Sequence, residues 1–66
     1  MPRGSRHDET GRLREERGQF TLDRDAGGSW RLDVQRGAKQ LVGRRVRVVG
    51  TRAEFDLLDV TAIEAI

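Results

Sequence analysis

The sequence predicts a small domain of the mainly β class, made of five short strands and one short helix. Hydrophobic and polar residues alternate at period two in several segments, which is the pattern of strands with one buried face. The clearest such segment places Trp30, Leu32 and Val34 on one face and Arg31 and Asp33 on the other. Turns that contain glycine separate these segments, as in a meander of short strands. With 66 residues, the chain forms one domain at most and has a thin core.

The strand boundaries follow from the alternation and from the turns. We expect turns at residues 16–18 and 25–28, where glycines can take positive φ. In the last strand, Ile63 and Ile66 lie out of phase with the apolar residues before them, which predicts a bulge near Thr61. The predicted strands are residues 10–15, 19–24, 29–34, 44–52 and 57–66.

Two segments do not follow the strand pattern. Residues 1–8 are polar, charged and aperiodic, so we expect a flexible N-terminal arm there and a single folded domain over residues 9–66. Residues 35–42 carry apolar side chains at helical spacing, which predicts one or two turns of helix. Gly43 is the expected C-cap of that helix.

The order of these elements indicates a fold. Three meandering strands, a helix and two further strands match the five-stranded oligonucleotide/oligosaccharide-binding (OB) barrel, whose helix falls between the third and fourth strands. Such closure removes exposed strand edges in a short chain. An SH3-like barrel also packs five short strands into this length, but it usually has no helix at this point. An OB-like barrel is therefore the predicted fold, and an SH3-like barrel is the alternative.

Three segments carry a resemblance to a known family: Ser-Trp-Arg-Leu-Asp at residues 29–33, the glycine-bracketed strand at residues 41–50, and the segment at residues 55–60 together with Ile63. They resemble a family of short, uncharacterised bacterial domains, a domain of unknown function, over roughly residues 10–66. The resemblance implies a compact β-barrel. It implies no activity, substrate or catalytic residue.

The chemical inventory argues against catalysis. The chain has no Cys and no Tyr, and its one histidine, His7, lies in the predicted arm. A stable metal site needs three or four converging ligands. Glu15 and Glu16 are adjacent on a strand and so point to opposite faces. We expect a protein that is not an enzyme, with no catalytic residue, metal or cofactor.

The sequence also bears on the cellular compartment. No segment is long and apolar enough to span a membrane, and residues 1–7 lack the apolar stretch of a secretory signal. These observations predict a soluble, cytoplasmic protein with no membrane partner.

The strongest asymmetry in the sequence is its charge distribution. Residues 35–52 hold six basic residues and no acidic one, whereas residues 53–66 hold four acidic residues and no basic one. Arginine forks suit phosphate groups, so the arginine-rich fourth strand predicts a small non-catalytic binding module with single-stranded nucleic acid as its first ligand class. The candidate nucleic-acid-binding residues are Arg12, Arg14, Arg31, Arg44, Arg45, Arg47, Arg52 and Phe55.

In barrels of the OB kind, the second and third strands usually form the binding face. Phe20 and Trp30 lie on the inward phase of those strands, so we expect them in the core rather than stacked on bases. Phe55, in the last loop, is the one aromatic residue expected to be exposed. The outward residues of the two strands are Thr21, Asp23, Ser29, Arg31 and Asp33.

Two other interpretations stay open. The fourth and fifth strands are expected to be hairpin neighbours, so Asp59 and Glu64 could neutralise the arginines through cross-strand ion pairs. Val49 and Leu57 are apolar residues on the predicted outward phase, and they could form the contact patch of a protein-interaction domain or a homodimer.

Overall fold

A computed structural model describes residues 4–34 and 38–66 of the chain. Five strands and one short 3₁₀ helix follow one another, which confirms the predicted mainly β class and the number of strands. In chain order the elements are β1 (Arg6–Glu16), β2 (Gln19–Arg24), β3 (Ser29–Asp33), the 3₁₀ helix (Lys39–Leu41), β4 (Arg45–Glu54) and β5 (Leu57–Ala65).

The strands pair around a closed ring in the order β1-β2-β3-β5-β4, with β4 pairing back to β1. All neighbouring pairs are antiparallel except β3 and β5, which run parallel over three residue pairs. No helix of the described residues is long and apolar enough to cross a membrane.

Strand β1 begins at Arg6, four residues before the predicted start, so Arg6, His7 and Asp8 belong to the sheet and not to an arm. They pair with β4, where Arg6 lies opposite Thr51. The prediction was wrong here because the inward positions of this stretch carry polar side chains, which hide the alternation. Residues 1–3 of the predicted arm lie outside the described residues.

Gly11 is the point at which β1 changes partners. Its Cα lies opposite Val46 of β4 and also opposite Arg24 of β2. The backbone of β2 comes so close that a Cβ on Gly11 would lie 2.0 Å from the carbonyl oxygen of Asp23. Only glycine fits this contact, so Gly11 allows β1 to pair with β2 on one side and with β4 on the other.

The core is small and apolar, and the predicted inward phase of Trp30, Leu32 and Val34 is confirmed. Phe20 and Trp30 are half-buried and pack against this core, as predicted. The fully buried residues are Leu13, Leu22, Leu32, Ala38, Val46, Val48 and Leu58.

The predicted helix over residues 35–42 is wrong for the part that the structure describes. Lys39–Leu41 form a single 3₁₀ turn, and Val42 already has extended backbone at φ −60° and ψ 134°. A β-branched valine followed by glycine disfavours further helix. Gly43 has φ +86°, the left-handed conformation expected of a helix C-cap, and it leads into β4. Residues 35–37 lie outside the described residues.

The predicted bulge at Thr61 is confirmed. Val49 lies opposite Ala62 and Gly50 opposite Val60, so Thr61 has no partner across the pair. The Thr61 hydroxyl donates to the carbonyl oxygen of Val49 at 3.1 Å. The extra residue returns Ile63 to the inner face, where it packs on the core.

Candidate functional site

The two central arginines of β4 are exposed, as predicted, but each is held by a carboxylate. Arg47 donates from Nε and Nη2 to the two carboxylate oxygens of Asp8, at 2.9 and 2.5 Å. Arg45 donates from Nε to Asp25 Oδ2 at 3.1 Å and from Nη2 to the same oxygen. The two arginines that the sequence marks as the best candidates for phosphate binding are therefore neutralised by carboxylates of the same chain.

The neutralising partners differ from those predicted. Glu64 does lie opposite Arg47 in the β4–β5 register, and Asp59 lies opposite Thr51. The ion pairs nevertheless form with Asp8 of β1 and with Asp25, which follows β2. Asp8 is available to Arg47 because β1 extends to Arg6 and pairs with β4 along this stretch.

These contacts favour the charged form of each partner. The hydrogen bond from Arg47 lowers the pKa of Asp8, and the hydrogen bonds from Arg45 and then Thr10 lower the pKa of Asp25. The hydrogen bond from Arg31 lowers the pKa of Asp56 in the same way. All three carboxyls titrate below the ordinary aspartate value of 3.8.

These pKa shifts make the stability of the fold depend on pH. A carboxyl with a depressed pKa in the folded state stabilises the fold above its unfolded pKa, and this contribution is lost as the pH falls through the folded pKa. We expect the urea midpoint, followed by circular dichroism, to fall as the pH drops below 3.8 because Asp8, Asp25 and Asp56 take up protons.

The isosteric Asp8→Asn/Asp25→Asn variant is the matched control for this titration. It should have a lower midpoint at neutral pH and lose less on acidification, because two of the three carboxyls are gone. A wild-type midpoint that does not change on acidification would contradict the assignment.

Two further candidate arginines are paired with carboxylates on other strands. Arg14 lies 2.6 Å from Asp23 across β1 and β2. Arg31 donates to Oδ1 of Asp56 from Nε at 3.1 Å and from Nη2 at 2.7 Å, and to Glu54 at 3.2 Å. The hydrogen bonds that Arg31 donates to Asp56 and then to Glu54 raise the pKa of Arg31 above its usual value.

Three candidate arginines contact no carboxylate among the described residues. Arg12 donates to the carbonyl oxygen of Gly43 at 2.7 Å, so it lies beside exposed Arg44; we call this pair the Arg12–Arg44 corner. Arg52 lies at the other end of β4. The structure thus does not bring the predicted nucleic-acid residues together on one face.

Arg52 and Phe55 form a distinct feature at the β4–β5 hairpin. The Phe55 side chain is 84% exposed, and the guanidinium carbon of Arg52 lies 5.4 Å from its ring centroid. Arg52 Nε also donates to the carbonyl oxygen of Glu54 at 3.2 Å. The predicted exposure of Phe55 is confirmed.

The structure does not bring Val49 and Leu57, the two residues of the predicted contact patch, side by side. Val49 is half-buried opposite Ala62, whereas Leu57 lies opposite Glu54, five residues further along β4. Leu57 instead lines a groove with residues that are distant in sequence.

This groove has a volume of about 280 Å³ and runs across β2 and β3 to the start of β5. It lies between the β1–β2 turn and the β4–β5 hairpin, and we call it the β2–β3 groove. Four of its lining residues are apolar, and its polar lining comes from Gln19, Arg31 and Asp33. The lining residues are Gly18, Gln19, Phe20, Arg31, Leu32, Asp33, Val34 and Leu57.

The groove has an excess of negative charge. Arg31 is neutralised by Asp56 and Glu54. Asp33 is exposed and makes no ion pair within residues 4–34 and 38–66, and its neighbour in the parallel register, Asp59, is exposed as well. A cationic group on a ligand would therefore be attracted to this rim.

A polar cluster at one end of the ring was missed by the sequence analysis. Arg24 lies 3.1 Å from Glu9, and the His7 ring packs on Trp30 at a centroid distance of 4.9 Å. The Trp30 Nε1 is buried and has no hydrogen-bond partner in the described part of the chain. The signal was available, because His7 and Glu9 continue the inward phase of Leu13. Among the described residues, no group of three or more His, Cys, Asp or Glu could hold a metal ion.

The ring and the groove define a small mainly β domain with an open, partly apolar groove on one face. The chain belongs to the family described as Protein of unknown function (DUF5818), whose family model matches residues 10–66. This match confirms the resemblance to a domain of unknown function and its extent. No curated protein and no solved structure matches significantly.

Proposed function

We propose that the chain is a small non-catalytic binding module that holds a segment of a protein in the β2–β3 groove. The observation that carries the proposal is the position of this groove, between the β1–β2 turn and the β4–β5 hairpin with its exposed Phe55. In OB folds, ligands bind across the second and third strands and the loops that flank them. The strand order β1-β2-β3-β5-β4 supports an OB-like assignment over an SH3-like one.

The lining favours protein over nucleic acid as the ligand. Half-buried Phe20 and Leu57 offer apolar contacts in the groove. The exposed Phe55 beside Arg52 is a pairing typical of protein interfaces. The phosphate backbone of a nucleic acid would lie near Asp33 and near the carboxylates that pair with Arg31. Repulsion between these negative charges disfavours its binding in the groove. A segment with an apolar residue and a neighbouring Lys or Arg suits both features.

Nucleic acid remains a second candidate ligand because of one observation. The Arg12–Arg44 corner keeps two guanidinium groups without carboxylate partners among the described residues, and exposed Lys39 belongs to the preceding 3₁₀ turn. These three groups could contact phosphates without reading sequence.

A peptide selection tests the proposal. A random displayed peptide library is selected on the full chain, and the enriched peptides are titrated against wild type and Asp33→Lys. We expect peptides that combine an apolar with a basic residue and lose at least about tenfold in affinity with Asp33→Lys, since a charge reversal opposes the basic group. Glu64→Lys, an exposed acidic position outside the groove, is the matched control and should bind as wild type.

Single-stranded DNA provides the second arm of this experiment. Arg12, Arg44 and Lys39 together provide three cations. If all three contacted phosphates, the affinity for single-stranded DNA would drop by about 20-fold between about 50 and 200 mM salt. Such binding, lost in Arg44→Glu, together with no enriched peptide that depends on Asp33, would replace the proposed ligand with nucleic acid.

A further inference from the structure

The β4–β5 hairpin presents Phe55 as a fixed apolar knob. Its side chain is the most exposed of the large hydrophobic residues that the structure describes. Arg31 binds the side chains of both flanking residues, Glu54 and Asp56, and its backbone N–H donates to the carbonyl oxygen of Asp56 at 2.8 Å. Because the hairpin is braced in this way, little conformational freedom is lost when Phe55 enters a partner.

The β2–β3 groove is suited to such a knob. At about 280 Å³ it is smaller than most pockets for drug-sized ligands, which measure roughly 300–1,000 Å³, so it suits a single side chain. Half-buried Phe20, Val34 and Leu57 supply apolar and aromatic contacts for an aromatic ring, beside the polar side chains of the rim.

The knob and the groove lie side by side on the same molecule. Leu57 lines the groove only two residues after Phe55, yet the exposed Phe55 ring does not fill the groove of its own chain. In a two-fold dimer each surface contacts its counterpart reciprocally, so adjacent complementary features on one chain can both be satisfied at once.

The charges beside the two features are complementary as well. Arg52 packs on the Phe55 ring and contacts no carboxylate within the described ranges. Asp33 of the groove makes no ion pair in the same ranges. When Phe55 occupies the groove of a second copy, Arg52 would therefore lie near Asp33 of that copy.

We propose that the occupant of the groove is a second copy of this chain, in a two-fold dimer in which each Phe55 inserts into the groove of the other copy and each Arg52 pairs with its Asp33. The inference rests on the proposed function, because it names the protein segment that the groove holds. Because one side chain in a small groove is the main contact, we expect a weak dimer, with a Kd on the order of 100 µM.

Sedimentation velocity of the full chain, over concentrations that bracket about 100 µM, tests the dimer. Wild type should shift from monomer to dimer, and Phe55→Ala should stay monomeric while keeping its circular dichroism spectrum, because the side chain is exposed. Arg44→Glu, an exposed arginine outside the proposed contact, is the matched control and should dimerise as wild type.

A charge exchange identifies the contact itself. Arg52→Glu and Asp33→Arg should each weaken the dimer by about tenfold, and the double variant should recover most of that loss because the pair is rebuilt with reversed charges. A dimer that persists in Phe55→Ala, or a double variant weaker than both single variants, would overturn the proposed geometry.

The outcomes separate the inference from the proposed function. A strict monomer whose groove still binds selected peptides in a manner that depends on Asp33 overturns the dimer and leaves the binding module intact. A strict monomer without such peptides overturns both proposals.

Discussion

Gly11→Ala is expected to leave most of the chain unfolded at room temperature. The new Cβ would lie 2.0 Å from the carbonyl oxygen of Asp23 and 2.7 Å from its carbonyl carbon, so the backbones of β1 and β2 would have to separate. Overpacking of this kind costs about 3 kcal/mol or more once ladder hydrogen bonds are also lost. A domain of this size without metal or disulfide has only about 3–5 kcal/mol of net stability. Urea unfolding followed by far-ultraviolet circular dichroism measures the effect.

Gly27→Ala is the matched control for this variant. Gly27 has φ +103°, which disfavours alanine, but a Cβ there would meet no atom within 4 Å. We expect a loss of about 1–2 kcal/mol from backbone strain alone. If the two variants unfolded at the same urea concentration, the close approach at Gly11 would not limit stability.

Leu58→Ala is expected to have a comparable effect through the core. Leu58 is fully buried and lies opposite both Leu32 of β3 and Arg52 of β4, so it packs where the parallel pair closes the ring. Truncation of a buried leucine costs about 2–5 kcal/mol, because apolar contact is lost and a cavity remains. Most of the population should therefore lose its β signal.

Leu57→Ala provides the comparison for Leu58→Ala. The neighbouring leucine is half-buried and lines the open groove, where solvent can replace it without a closed cavity. We expect a loss of about 1 kcal/mol in the same urea experiment. Equal losses for the two leucines would contradict the assignment of Leu58 to the core.

The parts of the fold that hydrophobic alternation determines could be predicted from the sequence. Strand β2 has the predicted bounds because Phe20 and Leu22 alternate with polar residues between two turns that contain glycine. The bulge at Thr61 was also predicted, since the phase change from Val60 to Ile63 requires one extra residue. These features depend on neighbours in sequence.

The errors arise where contacts between distant residues decide the structure. The start of β1 was missed because Glu9 points inward to pair with Arg24, so hydrophobicity does not mark this end of the strand. The partner of Arg47 was missed for the same reason, because Asp8 is 39 residues away and meets it only through the β1–β4 pairing.

The candidate site could be predicted only in part. The outward positions of Arg31 and Asp33 and the exposure of Phe55 follow from strand phase and loop position. The groove does not, because its lining combines the β1–β2 turn with β2, β3 and the start of β5. Which arginines remain without carboxylate partners likewise depends on the ring closing.

The contact between His7 and Trp30 gives the chain its own optical reporter. The protein has one tryptophan and one histidine, and their rings are 4.9 Å apart although they belong to β1 and β3, which are not neighbours in the sheet. Their contact depends on the ring being closed, so the emission of the single indole reports on closure separately from the β-strand content. Spectroscopy of the native chain can therefore distinguish an opened ring from an unfolded one without any attached label.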